Sequence, residues 1–195
     1  MAGGRPREFD VDEALDQAVR VFWRRGYEGA ALSDLTEAMG INRPSLYAAF
    51  GNKESLFRKA LQHYTDRKAV HVRDALDRPT ARAAAERMLR GAVEVSTTPG
   101  CPAGCLSLQG GLAMGADAEA TRERLADWRR DGEAGLRDRF ERAQAEGDLP
   151  AGADAADLAK FVVLVAQGIS VQAADGVDAG RLHRMVDLAL AAWPA

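Results

Sequence analysis

The chain has 195 residues, enough to bury a full core and to hold one large or two small domains. It carries 26 Lys and Arg against 29 Asp and Glu, a net charge of −3, so a generally basic surface is excluded and any contact with a polyanion must be local. Two cysteines are too few for a secreted disulfide scaffold, and with three histidines they argue against a structural metal site.

Aromatic residues make up only 6%, and β-branched runs are almost confined to residues 161–165, so the composition favours an all-α chain with no strands. The opening MAGGRPREFD has no apolar segment of signal-peptide kind, and the longest unbroken apolar run, Phe161 to Ala166, is far short of a bilayer span. Both point to a soluble cytoplasmic protein without membrane contact.

In chain order, Asp10 and Glu13 form an Asp-x-x-Glu variant of the capping box, opening a helix that Gly26 should end. Val11, Ala14, Leu15, Ala18 and Phe22 give it an inward stripe. Leu32, Leu35 and Ala38 or Met39 then recur at helical spacing, Gly40 supplies a sharp turn and Ile41 a buried corner. Asn42 caps a further helix with Leu46 and Phe50 inside, and Gly51 stops it after about two turns. From Asn52 a longer helix should run to about Leu76, with Phe57, Ala60, Leu61 and Tyr64 inward.

Thr80 caps a helix reaching about Ser96, and residues 97–104, TTPGCPAG, are a turn-rich break. A short helix from about Cys105 to Met114 follows, weakened by Gly110 and Gly111. A long charged helix then extends from about Asp117 to Ala145, with Leu125, Trp128, Gly132, Leu136, Phe140 and Ala143 on one side. The last two helices span about Asp154 to Asp175 and Arg181 to Trp193.

The charge is unevenly placed. From Ile41 to Lys59 the bases Arg43, Lys53, Arg58 and Lys59 face the single acid Glu54, while the rest of the chain is net acidic. That local excess is a polyanion footprint, which Arg5 and Arg7 extend as an N-terminal arm. On the helix from Arg43 to Phe50, Leu46 and Phe50 share one side and Arg43 and Tyr47 another. Lys53 opens the next helix, where an ammonium is unfavourable beside the helix N-terminus and gains from a phosphate.

The order Gly40-Ile41-Asn42-Arg43-Pro44-Ser45-Leu46-Tyr47, then Phe50, Asn52-Lys53-Glu54 and Leu56-Phe57, resembles the N-terminal signature of TetR/AcrR-type transcriptional regulators. The likeness is close over the first 60 residues and thereafter lies in helix layout. It implies a DNA-binding domain over residues 1–66, a three-helix unit with the helix-turn-helix, and an effector-binding and dimerisation domain over residues 67–195. By position, Tyr47 and Lys53 would grip backbone phosphates, while Arg43, Pro44 and Ser45 would enter the major groove of a double-stranded operator. One departure is Ala31, where the family places a capping Ser or Thr that also touches phosphate. Ser33 could shift that cap and contact by two residues, or the contact is absent.

The helix near residues 154–175 is apolar on several sides and needs a second cover. The resemblance implies that a second copy supplies it, in a homodimeric four-helix bundle through Phe161, Val163, Ile169, Leu182, Met185, Val186, Ala189 and Trp193. Candidate effector-lining residues are Met88, Val95, Leu106, Met114, Trp128, Phe161 and Val165, any of which could equally be plain core. The function implied is a repressor, not an enzyme, without a cofactor, released from a palindromic operator by a small molecule that tilts the connecting helix.

Cys101 and Cys105 lie four residues apart in a turn feeding a helix. They are either small buried hydrophobes or a redox- or electrophile-sensing pair. As a cysteine-dependent enzyme the chain lacks a C-x-x-C spacing, a strand-helix context and a histidine nearby in sequence. His63, His71 and His183 read as surface or core residues.

Overall fold

The computed structural model describes residues 9–67, 70–109 and 119–194, all helices and connections. Arg5, Arg7, Gly110, Gly111 and Met114 lie outside the described residues. The helices are α1 (Val11–Gly29), α2 (Leu32–Met39), α3 (Arg43–Phe50), α4 (Lys53–Arg67), α5 (Val70–Leu76), α6 (Ala81–Ser96), α7 (Leu106–Gln109), α8 (Glu119–Ala145), α9 (Ala155–Ala174) and α10 (Ala179–Ala191). The helix expected from Asn52 to Leu76 is thus seen as α4 and α5, with residues 68–69 between them outside the description.

Local chemistry sets most helix ends. Asp10 accepts from the Asp12 and Glu13 amides, Thr80 from Ala83, Asp154 from Ala156 and Asp157, and Asp178 from Arg181. Each satisfies donors that the first turn leaves without a helical partner. Gly26 interrupts α1 as expected, with φ 69° and ψ 175°, yet a further helical turn continues to Gly29. The extra turn is held because Tyr27 packs against Phe22 and Phe57, with ring centroids 6.3 Å and 5.3 Å away.

Two apolar clusters form. One gathers α1 to α4 around Phe22, Trp23, Leu46, Phe50, Phe57 and Tyr64, and takes in Leu106 and Leu125 from the later part of the chain. The other gathers α6, the second half of α8, α9 and α10 around Leu89, Leu136, Phe140, Val162, Leu182 and Val186. Helix α8 therefore belongs to both, through Leu125 near one end and Leu136 and Phe140 near the other.

The first cluster is laced at its edge by polar contacts: His63 with Asp16 at 2.8 Å, Arg67 with Asp12 at 2.6 Å, and Arg20 donating to the Gly100 carbonyl at 2.7 Å. The last of these fastens the turn at residues 97–104 to α1.

Helices α5 and α6 cross closely at Gly91, where a Cβ would fall inside the His71 side chain. Gly91→Ala should therefore cost about 1–3 kcal/mol of overpacking. Urea unfolding would register it as a lower midpoint at unchanged slope, and an unshifted midpoint would mean that the crossing relaxes freely.

Among the described residues, α9 is long and apolar enough by length and composition to cross a membrane, which the length of the unbroken run had not suggested. In the fold, one side of it packs on α6 and α8 and the other is exposed. Phe161, Leu164 and Val171 on α9 and Met185 and Leu188 on α10 are large apolar side chains left open to solvent.

Of the expected interface residues, Phe161 and Met185 lie in this exposed set, and the others do not. Ile169, Leu182 and Val186 are buried in the chain's own core, Val163 faces a cavity, and Ala189 and Trp193 pack on that core, with Trp193 edge-on to Phe140 at 5.4 Å. Most of the periodic stripe of α10 is covered by its own chain, while Met185 of that stripe and Leu188 beside it stay exposed.

Candidate functional site

The helix-turn-helix is built by two glycines and an asparagine. Gly40 ends α2 in the left-handed region, at φ 65° and ψ 26°, and its amide donates to the Glu37 carbonyl at 3.1 Å while Ile41 donates to Thr36 at 3.0 Å. That closure is open to glycine at little steric cost. Asn42 then accepts from the Ser45 amide at 2.9 Å, and Pro44 sits in the first turn, where a missing N–H costs nothing. Leu46 and Phe50 are buried below, and Ile41 is half-buried against the same cluster, not a fully buried corner.

The outward side of α3 carries Arg43 and Pro44, both exposed, half-buried Ser45, and Tyr47, 49% exposed. An exposed aromatic beside an arginine suits a phosphate and a base edge.

Lys53 opens α4 after the Asn52 cap, whose side chain accepts from Ser55 at 2.7 Å. Its ammonium lies over the Tyr27 ring, 4.7 Å from the centroid, and 3.4 Å from the Glu28 carbonyl. Partial burial lowers its pKa, opposed by the charge of Glu28. Lys53 is therefore held in one place by an aromatic platform, with donors left for an anion. Tyr27 was not singled out from the sequence; its local mark is an aromatic just past a helix-breaking glycine, and nothing in sequence links it to Lys53, which opens α4. Lys59 turns back to donate to the Ala49 carbonyl at 3.1 Å near the end of α3, so part of the basic excess fastens the domain.

Ala31 is the N-cap of α2, with φ −73° and ψ 152°, and Ser33 does not shift the cap; it sits exposed in the first turn. Asp34 compensates in part, accepting from the Ala31 amide at 3.2 Å and pairing with Arg25 of α1. Because Ala31 already has cap geometry, Ala31→Ser should add about 1 kcal/mol of stability. A rise in thermal midpoint would show it, and a fall would mean that the new hydroxyl competes with Asp34.

Behind the helix-turn-helix, at the seam between the two clusters, lies a cavity of about 90 Å³. Met88, Val95 and Trp128 line it. Leu106 instead points into the DNA-binding cluster, Val165 packs in the second core, and Phe161 is exposed on the outer face. The lining that sequence reading missed includes Tyr64 from α4, His71, Cys105, Arg129, Val163 and Gln167. These residues are far apart in the chain and show no common periodicity. Cys101 does not line the cavity; it packs half-buried against the DNA-binding cluster. Among the described residues no three His, Cys, Asp or Glu side chains gather as a metal site.

A helix-turn-helix with an exposed basic and aromatic face, joined through α4 to a helical body with its own cavity, defines a DNA-binding regulator. Residues 14–60 match the model of bacterial regulatory proteins of the tetR family, and residues 82–187 match the tetracyclin repressor-like C-terminal domain. The chain belongs to the TetR family of transcriptional regulators.

It is 34% identical over 193 residues to the HTH-type transcriptional repressor ComR of Escherichia coli (strain K12), covering 98% of this chain and 92% of that one. To the repressor BdcR of the same organism it is 38% identical over 109 residues, 55% of each chain. Among solved structures, a cysteine mutant of the TetR family transcriptional regulator CifR in complex with a 26bp double-strand operator DNA is 48% identical, with a TM-score of 0.93 over 97% of this chain and all of that one. A putative TetR regulator from Rhodococcus sp. RHA1 is 44% identical, with a TM-score of 0.65 over 93% of this chain and 97% of that one.

Proposed function

We propose that the chain is a repressor that binds a two-fold operator as a homodimer in the cytoplasm and leaves it when a small molecule enters the cavity. The observation that carries this reading is the position of Tyr64. It belongs to α4, the helix that begins with Lys53, and it also lines the cavity. An occupant that displaced Tyr64 would act on the helix that places the DNA contacts, and it would shift the equilibrium only by its different affinity for the two arrangements. Arg43, Pro44, Ser45 and Ser33 are the proposed base-side and first-turn contacts, and Tyr47 and Lys53 the phosphate contacts.

Homodimerisation is supported by the outer apolar face of α9 and α10, and a two-fold dimer reads half-sites one or more helical turns apart. Selection of duplexes from random-sequence DNA by the purified protein tests the reading. The expected product is a palindrome bound by two chains per duplex; selection without sequence preference, or one chain on an asymmetric site, would defeat it.

A further inference from the structure

Among the polar groups that line the cavity, one is a nucleophile with buried hydroxyls on two sides. The Cys105 sulfur lies 3.3 Å from the Tyr64 hydroxyl and 3.0 Å from the Ser107 hydroxyl. Tyr64 and Ser107 are only 1% and 2% exposed. Arg129, on the same wall, donates to the Ser107 carbonyl at 2.7 Å. Burial, reinforced by the neighbouring Cys105, pushes the Tyr64 phenol well above its usual range, so it remains a hydrogen-bond donor at neutral pH. None of these four groups belongs to the DNA-reading face, and packing alone would be served by apolar side chains.

We infer that Cys105 is a covalent capture point for a soft electrophile of the α,β-unsaturated carbonyl class, and that Tyr64 passes the event to the DNA-binding helices. This rests on the reading of the protein as an effector-released repressor. The thiol gives its proton to water, and a sulfur lone pair forms the C–S bond at the β-carbon. The C=C π pair moves through the α-carbon onto the carbonyl oxygen, for which Arg129 supplies a cation on the same wall. A proton from water then returns to the α-carbon. The sum is addition of S–H across C=C, with nothing oxidised and no group leaving.

The geometry selects Cys105 over Cys101, because a molecule in the cavity meets the first and not the second. It also supplies a path. An adduct on the sulfur crowds the Tyr64 hydroxyl, and the Tyr64 ring stands edge-on to Trp23 of α1, with centroids 5.0 Å apart. The Gly100 carbonyl, a few residues before Cys105, is held by Arg20 of the same helix. A change at Cys105 therefore reaches both α4 and α1 through contacts already made.

The test uses the full-length protein, its selected operator duplex and two probes of nearly equal size, but-3-en-2-one and butan-2-one. The enone should add once per chain, map to Cys105 by peptide mass, and lower operator affinity about tenfold or more, the scale of an ordinary allosteric coupling. The saturated ketone should do neither. Cys105→Ser, which keeps a hydroxyl for Tyr64, should bind the operator as the parent does and resist the enone. Tyr64→Phe should be labelled at Cys105 yet released less.

An adduct on Cys101 alone, an adduct on Cys105 with unchanged affinity, or equal release of Cys105→Ser would overturn the inference. So would release by peroxide, through a Cys101–Cys105 disulfide, without release by the enone. Equal release by butan-2-one would remove the covalent step and leave the effector-released repressor standing. A parent that selects no duplex would remove both.

Discussion

Lys53→Ala is expected to weaken binding to operator and to unrelated duplex together, and to lower the salt dependence of binding by roughly 0.9 for each lysine removed, so by about two for a dimer. The reason is the position of its ammonium, fixed over Tyr27 and against the Glu28 carbonyl at the start of α4. An ammonium already held there pays little further side-chain entropy when a phosphate arrives. The loss should be about 1.5–3 kcal/mol per contact, the range for hydrogen bonds to charged groups.

Folding should suffer less, by about 1 kcal/mol or under, since only a partly exposed cation–π contact is lost. Tyr47→Phe should act in the same sequence-independent way without the change in salt slope, because it removes a hydroxyl and no charge. Arg43→Ala, by contrast, should weaken the selected operator more than unrelated DNA. Titrations at several salt concentrations decide the matter: an unchanged slope for Lys53→Ala would remove it from the phosphate contacts, whatever the affinity.

A charge on the outer face of α9 and α10 should separate the chains. Leu164 and Leu188 are 59% and 64% exposed, beside Phe161, Val171 and Met185. Burying a leucine is worth roughly 1.5–3 kcal/mol, and two-fold symmetry counts each twice. Leu164→Asp should therefore raise the dimer dissociation constant by about a hundredfold or more, with the cost of burying a carboxylate added. The chain should stay helical, because the position is outside its own core. Ile169→Asp should behave differently, since Ile169 is buried in that core and a charge there should unfold the chain. Sedimentation with circular dichroism separates the cases, and a Leu164→Asp protein still dimeric at low micromolar concentration would show that the chains meet elsewhere.

The same two residues show where sequence reading loses its grip. Both lie on a helix that the sequence shows as apolar on several sides, and nothing in the pattern separates Ile169 from Leu164 in the run at residues 161–166. Periodicity tells that a helix has an apolar side. It does not say whether the chain itself or another copy covers that side, because both remove the same surface from water. The cavity poses the same difficulty more sharply. Met88, Val95 and Trp128 were within reach as large residues on amphipathic helices, but Tyr64, His71, Cys105 and Arg129 come from four helices or their ends and meet only because α4, α5, α7 and α8 converge.

The DNA-reading unit was legible because its structure is local. Gly40, Asn42 and Gly51 set turns and caps through contacts within a few residues, the side chains at Arg43 and Tyr47 follow from helical spacing, and the charge excess is contiguous in sequence. Sequence alone therefore determined the helix-turn-helix, most helix boundaries, the all-helical class and the family. The tertiary structure decided which face of α9 and α10 is open, that Lys53 rests on Tyr27, and that Cys105 and not Cys101 looks into the cavity beside Tyr64. Those outcomes depend on packing between segments distant in the chain, where many apolar patterns are compatible with one sequence and close packing admits only one arrangement.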